Sequence, residues 1–344
     1  MKRARLSAVV VAAMATSCAA TTGGTERAPS TRARRLVAPA LGSLYHGVFP
    51  GGAHAREDTI SEADVAAYEA AVGRRVAWVY FSSEWGVSRA FPRATAEWIT
   101  RRGAIPFVRL MLRSSLELGA RESVFTSAAI ARGDFDADLH AWAAGAHNLG
   151  APLLIEWGTE ANGDWFPWSR EGAVSYRAAF RHIVEVFRAE RAPASFVFHV
   201  HVPDAHGARF EAYWPGGDVV DWIGFSIYAT GGPSDRAALD FTAAMSAYVA
   251  RASALAPHTP VLIAEMGADV ANRNVDAARW AEGALVALLA GRWPSVRGFA
   301  WWSSRFANAG APDTEMRVAA SPSLTVLFRR RLAASSVLDR PVVR

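Results

Sequence analysis

Eight short apolar segments recur along the chain, most of them separated by longer amphipathic stretches, and this alternation limits the fold more than any other feature. The candidate strands lie near 43–48 (SLYHGV), 76–82 (VAWVYFS), 105–111 (IPFVRLM) and 153–158 (LLIEWG), then near 195–201 (SFVFHVH), 222–227 (WIGFSI), 261–265 (VLIAE) and 298–302 (GFAWW). Several are unbroken apolar runs, the pattern of parallel strands buried on both faces. The intervening amphipathic stretches are expected at 61–71, 93–102, 136–149, 172–190, 235–255 and 274–290. Ser61 can cap the first of them, with Asp64 three residues on, and Gly73, Gly103, Gly150 and Gly291 follow four of them as helix-terminating glycines do. Eight β–α units in about 300 residues predict a single (β/α)8 barrel. A doubly wound sheet is the alternative, disfavoured by the strand count and by the lack of a glycine-rich turn after the first strand.

The composition excludes several chemistries. Lys2 is the only lysine and Cys18 the only cysteine of the 344 residues. Residues beyond 18 therefore offer no Schiff-base lysine, no Walker-A lysine, no thiolate nucleophile and no cysteine-ligated metal. The net charge of +5 is concentrated at the start: residues 1–40 hold seven basic residues against Glu26, which leaves the remainder at −1. That distribution argues against a nucleic-acid partner, which requires positive charge on the folded surface.

Lys2, Arg3 and Arg5 precede an apolar run from Leu6 to Met14, the layout of a secretory signal. The run is too short to remain as a membrane span. Ala15-Thr16-Ser17-Cys18 resembles a lipobox, which makes Cys18 a candidate lipidation site; cleavage at a neighbouring small-residue site is the alternative. The expected organisation is a signal over 1–18, a flexible tether over 19–40, a barrel domain over 41–335 and a tail over 336–344. The protein is expected to be exported, held at the cell envelope by a lipid or released.

In a barrel, function sits where the strands end. The residues expected there are Glu84 and Trp85, Glu160, His201, Tyr228, Glu265 and Trp302. The segment from Glu156 to Trp168 (EWGTEANGDWFPW) leaves the fourth strand and carries Trp165, Phe166 and Trp168 within four positions. Sugar rings stack their apolar faces on such rings while carboxylates and amides take their hydroxyls; the plainer reading folds the tryptophans back onto the core. In Val261–Asp269 (VLIAEMGAD) four apolar residues deliver Glu265 to the end of the seventh strand, where a carboxylate is either solvated or paired with an arginine. Strands four and seven lie across an eight-stranded barrel from one another, so Glu160 and Glu265 can share a cleft. Retaining glycosidases need such a pair about 5–5.5 Å apart, one an acid/base held above its ordinary pKa and the other an ionised nucleophile.

The run from Glu160 to Trp168 resembles the H-E-x-N-G-x-W-F-x-W signature of glycoside hydrolase family 26. Tyr213–Gly224 (YWPGGDVVDWIG) with Tyr228, Ala264-Glu265-Met266-Gly267, and Tyr45-His46-Gly47-Val48-Phe49 are similar to further elements of that family, in the same order over about residues 42–305. The resemblance implies a retaining hydrolase of β-linked polysaccharide, β-1,4-mannan first, with Glu160 as acid/base and Glu265 as nucleophile. It implies sugar contacts from Trp165, Tyr228 and Trp302, with Trp301 as the rival of Trp302, and loop support from Asn162. Trp168, His46, His201, Glu84 and Trp85 are further candidates for the substrate cleft. Two positions depart from the family pattern: Thr159 stands where it has histidine, and Glu156 where it has arginine.

Other signals point elsewhere. His199 and His201 share one face of a strand, as in metal-dependent barrel hydrolases, although the lysine that often completes such sites is absent beyond Lys2. No metal and no organic cofactor is expected. Arg109 and Arg113 flank the end of the third strand and read as solvated or ion-paired, and Arg329–Arg331 as a solvated helix face. No G-x-S-x-G elbow occurs. A glycan-binding barrel without activity is the second reading, motivated by Thr159. A monomer with a polysaccharide or oligosaccharide partner is expected.

Overall fold

The computed structural model describes residues 34–52, 56–205, 207–230, 240–308 and 311–344. The signal segment, Cys18 and the tether up to residue 33 lie outside the described residues.

Eight parallel strands close on themselves: β1 (Leu44–Gly52), β2 (Trp78–Glu84), β3 (Ile105–Met111), β4 (Leu153–Trp157), β5 (Ala194–Val202), β6 (Trp222–Ala229), β7 (Val261–Ala268) and β8 (Val296–Asn308). Each pairs with the next, and β8 returns to β1 through Tyr45 opposite Gly298 and Phe49 opposite Trp302. Closure removes the open edges a doubly wound sheet would have. The helices between strands are α1 (Glu62–Val72), α2 (Arg93–Arg101), α3 (Ser127–Ala131), α4 (Asp136–Leu149), α5 (Pro167–Arg170), α6 (Ala173–Ala189), α7 (Phe241–Leu255) and α8 (Ala277–Leu289); α9 (Pro322–Leu332) follows the barrel. A short strand, β9 (Ala311–Glu315), runs antiparallel to the extended end of β8. Ser61 caps α1 by accepting from Asp64 N at 3.1 Å, and Gly73 ends it in the left-handed conformation. Among the described residues no helix is long and apolar enough to cross a membrane.

The two ends of the barrel domain are tied together. Arg35 N donates to Arg344 O and Val37 N to Val342 O, while β10 (Val337–Leu338) pairs parallel with β1. Residues 34–40 and 336–344, read as tether end and tail, thus pack on the domain, with Leu36 and Val337 buried. Arg329 donates to the carbonyls of Ala70 and Ala71, where α1 has run out of amide partners, and Arg330 and Arg331 pair with Glu282 on α8.

Alternation along the strands separates the barrel interior from the helix layer. Trp78, Tyr80, Phe107 and Trp302 point inward. The Trp78 indole lies across Gly47 and Gly298, where an added Cβ would fall 2.1 and 2.5 Å from it. It meets Tyr45 and Phe107 edge-on. Above this apolar floor the inward positions turn polar: Tyr80, Arg109, Glu156, His199, His201, Ser226 and Glu265. A polar side chain inside an apolar barrel is costly unless it is hydrogen-bonded, and these residues bond chiefly to one another.

Candidate active site

The loop after β4 is shaped by its backbone. Gly158 has φ +69° and lies against the Tyr176 ring. Glu160 itself has φ +49°, a left-handed conformation that costs a residue with a Cβ about 1–2 kcal/mol. Ala161 N donates to His199 O at 3.0 Å and Gly163 N to Glu160 O at 2.8 Å, holding the residue in place. Trp168 is fully buried, donates Nε1–H to Thr159 O at 2.8 Å and stacks on Phe166. The loop is therefore braced from below, and Trp165 alone of its three aromatics meets the carboxylate above.

Glu160 accepts from Trp165 Nε1 at 2.5 Å on one oxygen, and from Ser226 Oγ at 2.6 Å and His201 Nδ1 at 3.2 Å on the other. Glu265 accepts on Oε1 from Arg109 Nη2 at 2.6 Å, with the Tyr80 hydroxyl oxygen 2.8 Å away. Its Oε2 is met by the hydroxyl of Tyr228, which is only half-buried. Ser226 and Glu265 are register partners on β6 and β7, so the strand pair carries one partner of Glu160 beside the second carboxylate. Trp302 closes this side, stacked on Phe49 at 3.9 Å and edge-on to Tyr80 and Tyr228, with the Arg109 guanidinium 5.4 Å from its ring.

Beneath lies a second layer. Glu156 accepts from the Tyr80 hydroxyl and pairs with His199 Nδ1 at 2.8 Å; the same nitrogen lies 2.8 Å from Thr159 Oγ1. Arg109 also bonds Glu57 and reaches Thr159 and Glu156 at 3.4 Å each. Four carboxylates thus share one guanidinium and two imidazoles.

The charge states follow from this crowding. Burial pushes Glu265 up, and the neighbouring Glu160 and Glu156 add to it; Arg109 and His199 oppose but do not cancel the rise. Burial also acts to raise Glu160, yet the hydrogen bond and charge of His201, with His199 and Arg109, bring it well below the ordinary carboxylate range. Burial alone would likewise raise Glu156, but His199, Arg109 and Tyr80 hold it down; in turn Glu156 holds His199 up against burial. The expected order, with the acid/base held high and the nucleophile held low, is reversed in the unliganded site. The physical reason is that His201, Ser226 and Trp165 all donate to Glu160.

Residues 126–281 match the profile of glycosyl hydrolase family 26. That match spans just under half of the chain, which resembles this family over that stretch. Among its relatives, endoglucanase H of Acetivibrio thermocellus is 26% identical over 287 residues, 80% of this chain and 29% of the relative. A β-1,3-xylanase of an Alcaligenes species is 28% identical over 101 residues, 29% of this chain and 21% of the relative. The chain thus spans less than a third of the length of these relatives. A Bacillus subtilis mannanase superposes with a TM-score of 0.61 at 18% identity, covering 88% of each chain. A Muricauda protein superposes with 0.65 at 13% identity, covering 86% of this chain and 87% of the other. These likenesses show the (β/α)8 barrel fold.

Against that family frame, Glu160, Glu265, Trp165, Tyr228, Trp302 and His201 come together as expected. Trp302 faces inward, whereas Trp301 points into the helix layer against Trp280 and Phe328. Other expected contacts are corrected. His46 faces outward, buried against Tyr68 and Phe299, because it occupies the opposite parity from Phe49 on β1. Trp168 is a strut. Asn162, by contrast, bonds the His201 backbone in both directions and Asp204, and so gives the loop the support expected of it. Glu84 has both oxygens taken by Arg113, and Trp85 is buried edge-on against Phe125, so neither presents a free sugar-binding surface.

Arg109, read as solvated or simply ion-paired, is instead central, and Tyr80, Ser226 and Glu57 had no assigned role. The signal for the first three is a polar residue at an inward position of an otherwise apolar strand. Glu156, His199 and Glu265 bring donor atoms within 4.8 Å of one another, a grouping that could hold a metal ion. Arg109, Tyr80 and the His199–Glu156 bond engage these same groups, however, and a cation would have to displace the guanidinium.

Proposed function

We propose that the protein is a glycosidase that cleaves β-linked polysaccharide with retention, β-1,4-mannan first among its substrates. The observation that carries this reading is the placement of Glu160, in the loop after β4, and Glu265, on β7, close enough to influence each other's charge and beside Trp165, Tyr228 and Trp302. The likeness to an endoglucanase, to β-1,3-xylanases and to mannanases supports β-linked polysaccharide as the substrate class.

The division of labour follows from the hydrogen bonds. Glu265 has one oxygen held by Arg109, beside the Tyr80 hydroxyl, while the other meets only the Tyr228 hydroxyl; that second oxygen attacks the anomeric carbon. Glu160 gives its proton to the departing glycosidic oxygen, then takes one from the water that releases the glycosyl ester. The two carboxyls interact, so their protonation belongs to the pair. The pair must hold one proton when substrate is bound, and occupation of the cleft by a sugar oxygen between Glu160 and its donors would move it there. The export signal read in residues 1–18 would place this activity outside the cytoplasm, on polymers too large to import.

The test is a product profile on mannan, xylan, mixed-linkage glucan and β-1,3-glucan, with Glu160→Ala and Glu265→Ala as controls. Each variant is expected to lose about 10²–10⁴-fold or more in turnover while remaining folded. Binding to these glycans without release of reducing sugar would replace this reading with a glycan-binding barrel. Undiminished activity in either variant would end the assignment.

A further inference from the structure

We propose that the cationic half of this site is supplied by the strands flanking β4: Arg109 on β3 positions Glu265, and His199 on β5 completes the set. The inference rests on the glycosidase reading for the role of Glu265, and extends it to residues that the pattern does not assign.

Three observations carry it. First, Arg109 and Glu156 are register partners on adjacent strands, both inward. A guanidinium and a carboxylate therefore face each other across the β3–β4 register inside the barrel. Second, His199 on β5 meets both Thr159 and Glu156 through Nδ1, so an imidazole braces the residues beside and beneath the two carboxylates. Third, the Arg109 fork is fully engaged. Nη2 holds Glu265 Oε1, Nη1 holds Glu57, and Nε faces the Tyr80 hydroxyl at 3.1 Å, which itself touches Glu156 and Glu265. A planar fork held on three sides has little rotational freedom, so it fixes the attacking carboxylate's orientation as well as its charge. Arg109 is thus a positioning residue acting through Glu265, and His199 acts through Glu156 and Thr159.

The groups facing Glu265 and Arg109 from the surrounding elements are Tyr80 on β2, Glu156 on β4, Thr159 and Glu160 in the loop after it, His199 and His201 on β5, Tyr228 on β6, and Glu57 between β1 and α1. Among them Arg109 and His199 draw the Glu265 carboxyl downward while Glu160 and Glu156 draw it upward. Loss of the guanidinium removes the leading downward influence. Glu265 must be ionised to attack, so the acid limb of kcat/KM moves to higher pH.

The test is a charge exchange across the β3–β4 register: Arg109→Glu, Glu156→Arg and the double variant, with Arg109→Lys as the milder change. Substrates are the glycan the wild type cleaves best and an aryl glycoside whose phenolate leaves without protonation. Each single exchange is expected to lower kcat by about 10²–10³-fold, and the double to recover about tenfold or more over the worse single. Arg109→Lys moves the acid limb upward with little change in KM. The aryl substrate restores Glu160→Ala but not the Arg109 variants, because their defect is in attack and not in protonation. Carboxyl-carbon NMR titration of Glu265 in wild type and Arg109→Lys reads the same coupling without turnover. If the wild type cleaves no glycan, the glycosidase reading fails while the titration still decides whether Arg109 controls Glu265. A double variant no better than the worse single, or a Glu265 titration unmoved by Arg109→Lys, overturns the proposal.

Discussion

Arg113→Met is a sharp test of how the barrel mouth is held together. The Arg113 guanidinium donates to Glu84 through Nε at 2.9 Å and Nη2 at 2.8 Å, and the Glu84 side chain is only 3% exposed. Methionine keeps much of the side-chain volume and packing near Phe166 but leaves the carboxylate alone in a nearly dry site. Breaking a buried pair on one side costs about 3–5 kcal/mol. The pH dependence is what distinguishes a charge effect from a packing effect. Burial already holds the Glu84 carboxyl above its ordinary value, with Arg113 as the chief influence lowering it. Without Arg113 it rises further. An acid whose folded pKa is raised binds its proton more tightly folded than unfolded, so the folded state loses stability as pH rises from the unfolded value to the folded one. The deficit of Arg113→Met relative to wild type is therefore smaller at about pH 4, close to the unfolded carboxyl's own titration, and larger at about pH 7.5. Urea unfolding at both pH values measures it, and adding Glu84→Gln to Arg113→Met recovers most of the loss. A deficit below about 1 kcal/mol at the higher pH, or one equal at both, would refute the reasoning.

Other outcomes follow from the same geometry. Gly158→Ala places a Cβ 2.4 Å from the buried Tyr176 ring at a φ of +69°, and the strain and displacement together destabilise the protein by about 2–5 kcal/mol in urea melts and lower turnover through Glu160. His201→Gln removes the imidazole that holds Glu160 down; the Glu160 carboxyl rises, it stays protonated to higher pH, and the basic limb of kcat/KM shifts upward. An unchanged basic limb would show that His201 does not govern the acid/base.

The fold was legible because it depends on local signals that repeat: apolar strands, capped amphipathic helices and terminating glycines. Boundaries drifted where tertiary contacts extend an element. β8 runs on to Asn308 because β9 pairs with its end, and no apolar pattern marks that extension. The carboxylate pair was legible from strand ends. What sequence reading missed depends on side-chain direction and partners. His46 and Phe49 lie three positions apart on β1 and therefore face opposite sides, a parity that removes His46 from the cleft. Arg109 looked like a strand-end cation because the motif does not reveal that Glu265, Glu57 and Tyr80 converge on it. The reversal between Glu160 and Glu265 was invisible for the same reason: it comes from His201, Ser226 and Arg109, which three other strands deliver.

The most direct measurement of the central claim is mass spectrometry of the protein trapped with a fluorinated aryl glycoside that forms a slow-turning glycosyl-enzyme. A single sugar adduct is expected, localised to the Val261–Ala268 segment on Glu265 and absent in Glu265→Ala. An adduct on another carboxylate, Glu160 or Glu156 included, or rapid hydrolysis with inversion and no adduct, would contradict it.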